Sequence, residues 1–332
     1  MKKVNVGILG ATGAVGREML KVLEERDFPI GTLRLFASSR SAGKVIRYRG
    51  QDIVIEEAKE GIYEGLDIVL GASANPVAKQ MAPSIVAAGA VFVDNSSAFR
   101  MDPSVPLVVP EINPEDAKQH HGIISNPNCS TIITVVAVNA LNALSPIETM
   151  VASTYQAASG AGAGGPLELQ GEVDALAKGE TYTPSVFPYQ LAYNVIPCIG
   201  SPSEADYTTE EMKMQNEGRK IMHLPDLKVS CTCVRVPVMR SHSISVLVRT
   251  KEKISVEAAK AAIAAAPGCR LVDDLANKVY PMPLDTSDQD TVFVGRIRED
   301  LTDDRGLNLF CAGDQVRKGA ATNAVQIAEL LL

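Results

Sequence analysis

The alternation of apolar and polar positions changes character a little before the middle of the chain. Over the first 128 residues, short apolar runs at 4–9, 33–37, 67–72, 91–94, 107–109 and 123–125 read as strands. Between them Val15, Met19, Val22 and Leu23 recur at i, i+4, i+7 and i+8 as one apolar stripe, and residues 76–88 repeat that character after an Asn-Pro start. Strands alternating with helices predict a parallel sheet covered on both faces. Residues 132–144 form a long apolar helix pattern. Beyond about residue 145 the order shifts to long alternating strands, 228–238 and 242–250, with helices between and after them, which predicts an α+β domain. The last helix, predicted over 315–332, follows a strand ending near Ala312 and is apolar enough to pack back on the first domain. The expected fold class is therefore α/β, with one domain over 1–128 completed by the C-terminal helix and a second over 129–314.

Composition narrows this further. A chain of 332 residues, 46% apolar, exceeds one ordinary core and favours two domains. Its 32 Lys+Arg against 39 Asp+Glu give a net charge of -7 and no basic stripe for nucleic acid. The opening MKKVNVGILG enters a strand directly, with no apolar stretch of export-signal type, and the run 132–144 is broken by Thr134, Asn139 and Asn142, short of the roughly 20 residues a membrane span needs. A soluble, cytoplasmic protein is expected. Six cysteines without CxxC spacing suggest neither a disulfide framework nor a metal site. Cys231 and Cys233 share a strand face and read as small core hydrophobes. Residues 158–165, ASGAGAGG, read as a mobile loop near a site.

Chemistry first shows after the opening strand, where Gly7, Gly10, Gly13 and Gly16 lead into the Val15–Leu23 stripe. Glycines at such a turn let backbone amides approach a pyrophosphate, whose charge the helix N-terminus then holds. The alternative is a glycine-packed turn. The strand-turn-helix context favours a dinucleotide on a Rossmann-like domain, with Gly10, Thr12, Gly13, Ala14 and Val15 against it. At the end of the second strand, where an NAD site places an acid on the ribose, the chain instead offers Ser38, Ser39, Arg40, Ser41 and Lys44. Arg40 and Ser41 suit a 2′-phosphate, so NADP is expected; the competing reading is a solvated basic loop.

Cys129 follows Asn126-Pro-Asn128 at the start of the apolar helix. There the helix dipole and unpaired amides favour a thiolate, below the ordinary pKa of about 8.5, where an inert buried thiol would need no such placement. A thiolate that attacks a carbonyl calls for a histidine partner. His120, His121 and His223 lie in polar or helix-end positions. His242 begins a strand whose Ile244, Val246 and Val248 share its face, so a satisfied core histidine competes with a catalytic one; Arg235 and Arg240 just before it favour catalysis.

Several motifs then stand together in one order: Asn128-Cys129-Ser-Thr131, Gln156-Ala-Ala-Ser159-Gly160, Glu210-Glu-Met-Lys213, Arg235-Val-Pro-Val-Met-Arg240-Ser-His242, Asn95-Ser-Ser-Ala-Phe-Arg100 and Gly313-Asp-Gln315. Over essentially its whole length the chain resembles the aspartate-semialdehyde dehydrogenase family. The resemblance implies a Rossmann domain and a catalytic and dimerisation domain, a homodimer, and NADPH-dependent reductive dephosphorylation of aspartyl phosphate in the biosynthesis of lysine and diaminopimelate, threonine, methionine and isoleucine. It implies Cys129 as nucleophile, His242 as acid and base, and Gln156 as the group orienting thiol and acyl oxygen. Arg235 is then the carboxylate ligand, Glu210 the partner of the amine, and Arg100 and Lys213 the phosphate ligands. Ser159, Gly160 and Gln315 approach the cofactor. Glu210 and Lys213 lie at i, i+3 on a helix capped by Thr208 and Glu211, and with Glu217 and Lys220 they equally resemble a solvated charge ladder. An N-acetyl-γ-glutamyl-phosphate reductase or a glyceraldehyde-phosphate type of enzyme shares the Cys/His pair, and a silent NADP-binding redox sensor is the non-enzymatic alternative.

Overall fold

The structure is a computed structural model that describes residues 3–332, so Met1 and Lys2 of the N-terminal run lie outside the described residues. The chain divides into two compact units, one made of the described residues up to Asn128 together with Ala320–Leu332, the other of Cys129–Gly319.

The first unit is built on β1 (Val4–Leu9), α1 (Ala14–Glu25), β2 (Ile30–Ala37), β3 (Val45–Tyr48), β4 (Gln51–Glu57), β5 (Ile68–Gly71), α2 (Asn75–Ala87), β6 (Val91–Asp94) and β7 (Ile123–Ser125). The sheet runs β3-β4-β2-β1-β5-β6-β7, with every pair parallel except β3–β4. Period-two alternation sorts its side chains between two cores. Val6, Ile8, Leu35, Leu70 and Val93 face Met19 and Leu23 of α1, while Leu9, Phe36, Val69 and Phe92 face Met81 and Ile85 of α2. Two features depart from the sequence reading. The edge pair β3–β4 was not foreseen and makes the sheet mixed, and 107–109 is no strand: Leu107 makes a single bridge to Ser125 between Pro106 and Pro110.

The second unit carries α3 (Cys129–Leu144), β8 (Ile147–Gln156), α4 (Gly164–Ala177), α5 (Thr209–Ile221), β9 (Lys228–Arg235), β10 (His242–Thr250), α6 (Val256–Ala265), β11 (Cys269–Leu271), the short α7 (Pro283–Thr286), β12 (Val292–Glu299) and β13 (Gly306–Gly313). Its sheet order is β11-β12-β13-β10-β8-β9. The apolar α3 lies on one face, against β8, β10, β12 and β13. That face presents Cys231, Cys233 and Arg235 from β9, Ala152, Thr154 and Gln156 from β8, and His242, Ile244 and Val246 from β10, all buried. β9 ends at Arg235 rather than at 238. Residues 158–165 are no open loop: a 3-10 turn over Ala158–Ala161 leads into α4.

The C-terminal stretch returns to the first unit as a π-helical turn, Arg317–Ala321, followed by α8 (Thr322–Glu329), rather than as one α-helix from Gln315. Its Ala321, Ala324, Val325, Ile327 and Ala328 join the core on the α1 side. Among the described residues, no helix is long and apolar enough to cross a membrane.

Candidate active site

Strand register assembles the core of the site. β8 and β9 run parallel with Gln156 opposite Arg235, and β10 pairs antiparallel with β8 so that its first residue, His242, arrives beside Gln156. Neighbouring strands lie about 4.8 Å apart, so three polar side chains from three strands stand in a row at one end of an otherwise apolar face. Gln156 is 2% exposed, Arg235 6% and His242 0%. Burial at that level requires partners, and each has them. The Thr154 hydroxyl donates to Gln156 Oε1 at 3.0 Å, which turns the Gln156 amide nitrogen toward Glu210 Oε1 (3.3 Å) and His242 Nε2 (3.5 Å). The Ala157 N–H donates to His242 Nδ1 at 3.0 Å. A neutral ring then carries its proton on Nε2, the nitrogen that faces Gln156.

Burial, and next the positive Arg235, push the His242 pKa down to about 3, with Glu210 opposing. The Arg235 Nη1 donates to the Ala157 carbonyl at 2.6 Å, and its guanidinium lies 5.8 Å from the Phe187 ring centroid. Among the described residues it forms no ion pair. Burial lowers its pKa, while negative charge at Cys129 and Glu210 raises it, which places the thiol within electrostatic reach. Cys129 is the first residue of α3 and is partly exposed. Gly160 closes the group from the other side: a Cβ there would stand 2.6 Å from Arg235 Nη1 and 2.9 Å from His242 Cε1. No larger residue fits without displacing one of the two.

Glu210 comes from α5, whose start is fixed by the capping box of Thr208 and Glu211. Lys213 donates to Glu210 Oε2 at 2.8 Å. The helix is not a solvated ladder, since Glu211 and Glu217 are buried. Gln315 accepts from the Ser241 N–H at 2.9 Å and donates to the Ser159 hydroxyl. The sequence reading missed two supporting groups. Thr154 shares the inward face of β8 with Gln156, a period-two signal that was available. Asp314 is 0% exposed and accepts from Arg240 Nε at 2.6 Å and from the N–H groups of Asp288 and Val316 at 2.8 Å. It ties the Arg240–Ser241 turn in place, where Ser241 holds φ at 73°. All six cysteines are free, and among the described residues no group of three or more His, Cys, Asp or Glu could hold a metal ion.

The remaining candidate residues belong to the first unit. Gly10, with φ at 90°, would put a Cβ 2.5 Å from the Ala72 carbonyl, so β1 and the segment after β5 approach as only glycine allows. Gly13 is the N-cap of α1, with no side-chain cap and no acid in the first turn. The first turn of α1, with Ala14 and Val15, thus has no side-chain acceptor at its cap. Arg40 is exposed and Ser41 half-buried in the turn after β2, whose end pairs with that of β1. Arg100 is buried, with Nε donating to Asn126 O at 2.9 Å and Nη2 to Asn95 O at 2.8 Å.

Two family models match the chain: semialdehyde dehydrogenase, NAD binding domain, over residues 5–120, and semialdehyde dehydrogenase, dimerisation domain, over 138–318. A Synechocystis protein named aspartate-semialdehyde dehydrogenase is 49% identical over 329 residues, which is 99% of this chain and 97% of that protein. The chain belongs to the aspartate-semialdehyde dehydrogenase family. The resemblance carried by its motifs is thus borne out, and with it the expected α/β class and a domain for a nicotinamide dinucleotide. Among solved aspartate-semialdehyde dehydrogenases, enzyme II from Vibrio cholerae complexed with ASA is 42% identical with a TM-score of 0.97, covering 100% of this chain and 98% of that one. The enzyme from Candida albicans with NADP is 27% identical with a TM-score of 0.78, covering 99% and 98%.

Proposed function

We propose that the protein catalyses the NADPH-dependent, reversible conversion of L-aspartyl 4-phosphate to L-aspartate 4-semialdehyde and phosphate, through an acyl-thioester on Cys129. The observation that carries this reading is Arg235, a buried guanidinium that forms no ion pair among the described residues and lies within electrostatic reach of a helix-start cysteine, beside a buried Gln156–His242 pair. A buried cation in that state suits a ligand carboxylate.

Cys129 attacks the acyl carbon; the C–S bond forms as the C–O bond to phosphate breaks, and the phosphate leaves with the electron pair. Arg100 and Lys213 are the cations assigned to that phosphate. Arg235 takes the α-carboxylate, Glu210 the α-amine, and Gln156 orients the acyl oxygen. When bound, the nicotinamide cofactor supplies the hydride. His242 Nε2–H and the Gln156 amide donate to the oxygen that becomes negative, and its collapse ejects Cys129 as a thiolate. The glycine turn with its uncapped helix start, and Arg40 with Ser41 in place of an acid, support a phosphate-bearing dinucleotide and hence NADP. Ser159, Gly160 and Gln315 are the residues of the second unit assigned to the cofactor. A homodimer formed through that unit is supported by its dimerisation-domain match and by its open sheet face, where Val151 and Tyr155 are exposed and the Tyr155 and Phe310 rings lie 6.2 Å apart. The place of action is the cytoplasm, in the amino-acid biosynthesis named above.

Glu210 separates this reading from an N-acetyl-γ-glutamyl-phosphate reductase, whose acetylated substrate has no charged amine. The test is phosphate-dependent reduction of NADP, and of NAD, with aspartate semialdehyde beside N-acetylglutamate semialdehyde and glyceraldehyde 3-phosphate. The first aldehyde with NADP should be preferred by at least about a hundredfold in kcat/KM. Cys129→Ser should abolish turnover and leave NADP binding intact; full activity in that variant would refute the mechanism.

A further inference from the structure

Arg235 is held in part by a segment that has no regular structure. Residues 181–200 contain neither helix nor strand, yet their backbone is pinned by two buried carboxylates one turn apart on α4. Glu168 Oε2 accepts from the N–H groups of Ser185 and Val186 at 2.7 Å and from the Ser185 hydroxyl at 2.8 Å, and its Oε1 accepts from the Phe187 N–H at 2.8 Å. Glu172 accepts from the N–H groups of Leu191 and Ala192 at 2.9 and 2.6 Å. Farther along, Ile196 exchanges both backbone hydrogen bonds with Arg235, at 2.9 and 3.0 Å.

The consequence falls on Phe187. Its own amide is fixed by Glu168, and its ring lies under the Arg235 guanidinium. With Nη1 committed to the Ala157 carbonyl and the Phe187 ring centroid 5.8 Å from its central carbon, the guanidinium has two fixed neighbours that limit how it can turn.

We propose that Glu168 is a positioning residue for carboxylate recognition: by tying Ser185–Phe187 to α4 it sets the Phe187 ring, which orients the fork of Arg235 toward the substrate carboxylate. The proposal rests on the reading of Arg235 given above. Four acceptor interactions on one carboxylate specify the segment far more tightly than apolar packing would. Glutamine at 168 would offer one acceptor oxygen and turn an NH2 group toward backbone N–H donors.

The test compares Glu168→Gln, Phe187→Leu and Arg235→Ala with the wild type in the full-length protein. Alkylation of the Cys129 peptide, followed by mass spectrometry so that the exposed Cys198 does not interfere, is timed with anionic iodoacetate and neutral iodoacetamide. In Glu168→Gln and Phe187→Leu the iodoacetate/iodoacetamide rate ratio should fall about tenfold, with the iodoacetamide rate nearly unchanged. The KM for aspartate semialdehyde should rise by a similar factor while kcat changes by less than about threefold. A purely structural Glu168 would lower the melting temperature and leave both ratio and KM where they were, which overturns the proposal. If Arg235→Ala also leaves the ratio unchanged, the reading of Arg235 falls and the proposal with it; a drop in Arg235→Ala alone refutes only the part given to Glu168.

Discussion

An Arg235→Lys variant keeps a positive charge at the centre of the site and removes the planar fork. In the wild type one nitrogen of the fork is committed to the Ala157 carbonyl at 2.6 Å, and the remaining edge is available for both oxygens of a carboxylate. Lysine offers three donors around a single point, and the Ala157 carbonyl claims one of them. The expected loss is one charge-assisted hydrogen bond, about 1.5–3 kcal/mol, or roughly 10- to 150-fold in kcat/KM. A second effect depends on pH. The burial that lowers the Arg235 pKa leaves arginine charged, whereas lysine starts from about 10.4 and is pulled down by the same desolvation. As pH rises a growing fraction of the lysine is neutral, so the deficit relative to wild type should widen between pH 7 and 9. Initial rates of phosphate-dependent NADP reduction with aspartate semialdehyde, taken as kcat/KM across that range, measure both effects. A deficit under about threefold, or one that narrows toward alkaline pH, would refute the assignment of Arg235 as a carboxylate fork.

Two further outcomes follow from other parts of the molecule. Arg40→Ala should cost roughly 10- to 100-fold in kcat/KM with NADP and under threefold with NAD, because only the former has a 2′-phosphate; an equal loss with both cofactors would remove Arg40 from that role. His242 is held neutral in the folded protein down to about pH 3, whereas in the unfolded chain it takes a proton near 6.5. Between those values the unfolded state binds the extra proton, so this residue makes stability fall by about 1.4 kcal/mol for each unit of acidification and contributes no slope above 6.5. His242→Asn, which can still accept from the Ala157 N–H, should therefore lose less stability than the wild type between pH 6.5 and 4 in urea titrations. Parallel pH profiles for the two would contradict the buried, neutral histidine.

The first unit was legible where each strand had two buried faces and helices at regular intervals. It was misread where burial and pairing part company. Val108 and Val109 are fully buried yet pair with nothing beyond the Leu107 bridge, because flanking prolines deny the segment a ladder. The β3–β4 hairpin is hidden for the opposite reason: Ile46, Tyr48, Ile53 and Ile55 face the core, but the outward Val45 and Val54, 53% and 56% exposed, are apolar as well and mask the alternation. Past Ala312 the chain gives a helical pattern, but Asp314 binds the amides of Val316 and Arg317, and a π-helical turn intervenes before α8. Gln156, Arg235 and His242, named from their motifs and the resemblance these carry, are the residues that strand register sets side by side. Thr154 could have been found from its place two residues before Gln156 on the same strand face, whereas Glu168 and Asp314 act through backbone and side-chain groups that only the fold brings to them.

The return of α8 to the first unit has a consequence for the order in which the protein can be made. The opening 128 residues leave the ribosome early, but Ala321, Ala324, Val325, Ile327 and Ala328, which fill one side of their core, are translated only after the whole of the second unit. The second unit is continuous in the chain and has no such wait. The nascent first unit must keep Val6, Ile8 and Leu70 incompletely covered until the second unit has been made, so a stop codon before Ala320 would strand it half-folded, while a dozen residues trimmed from a surface loop would go almost unnoticed.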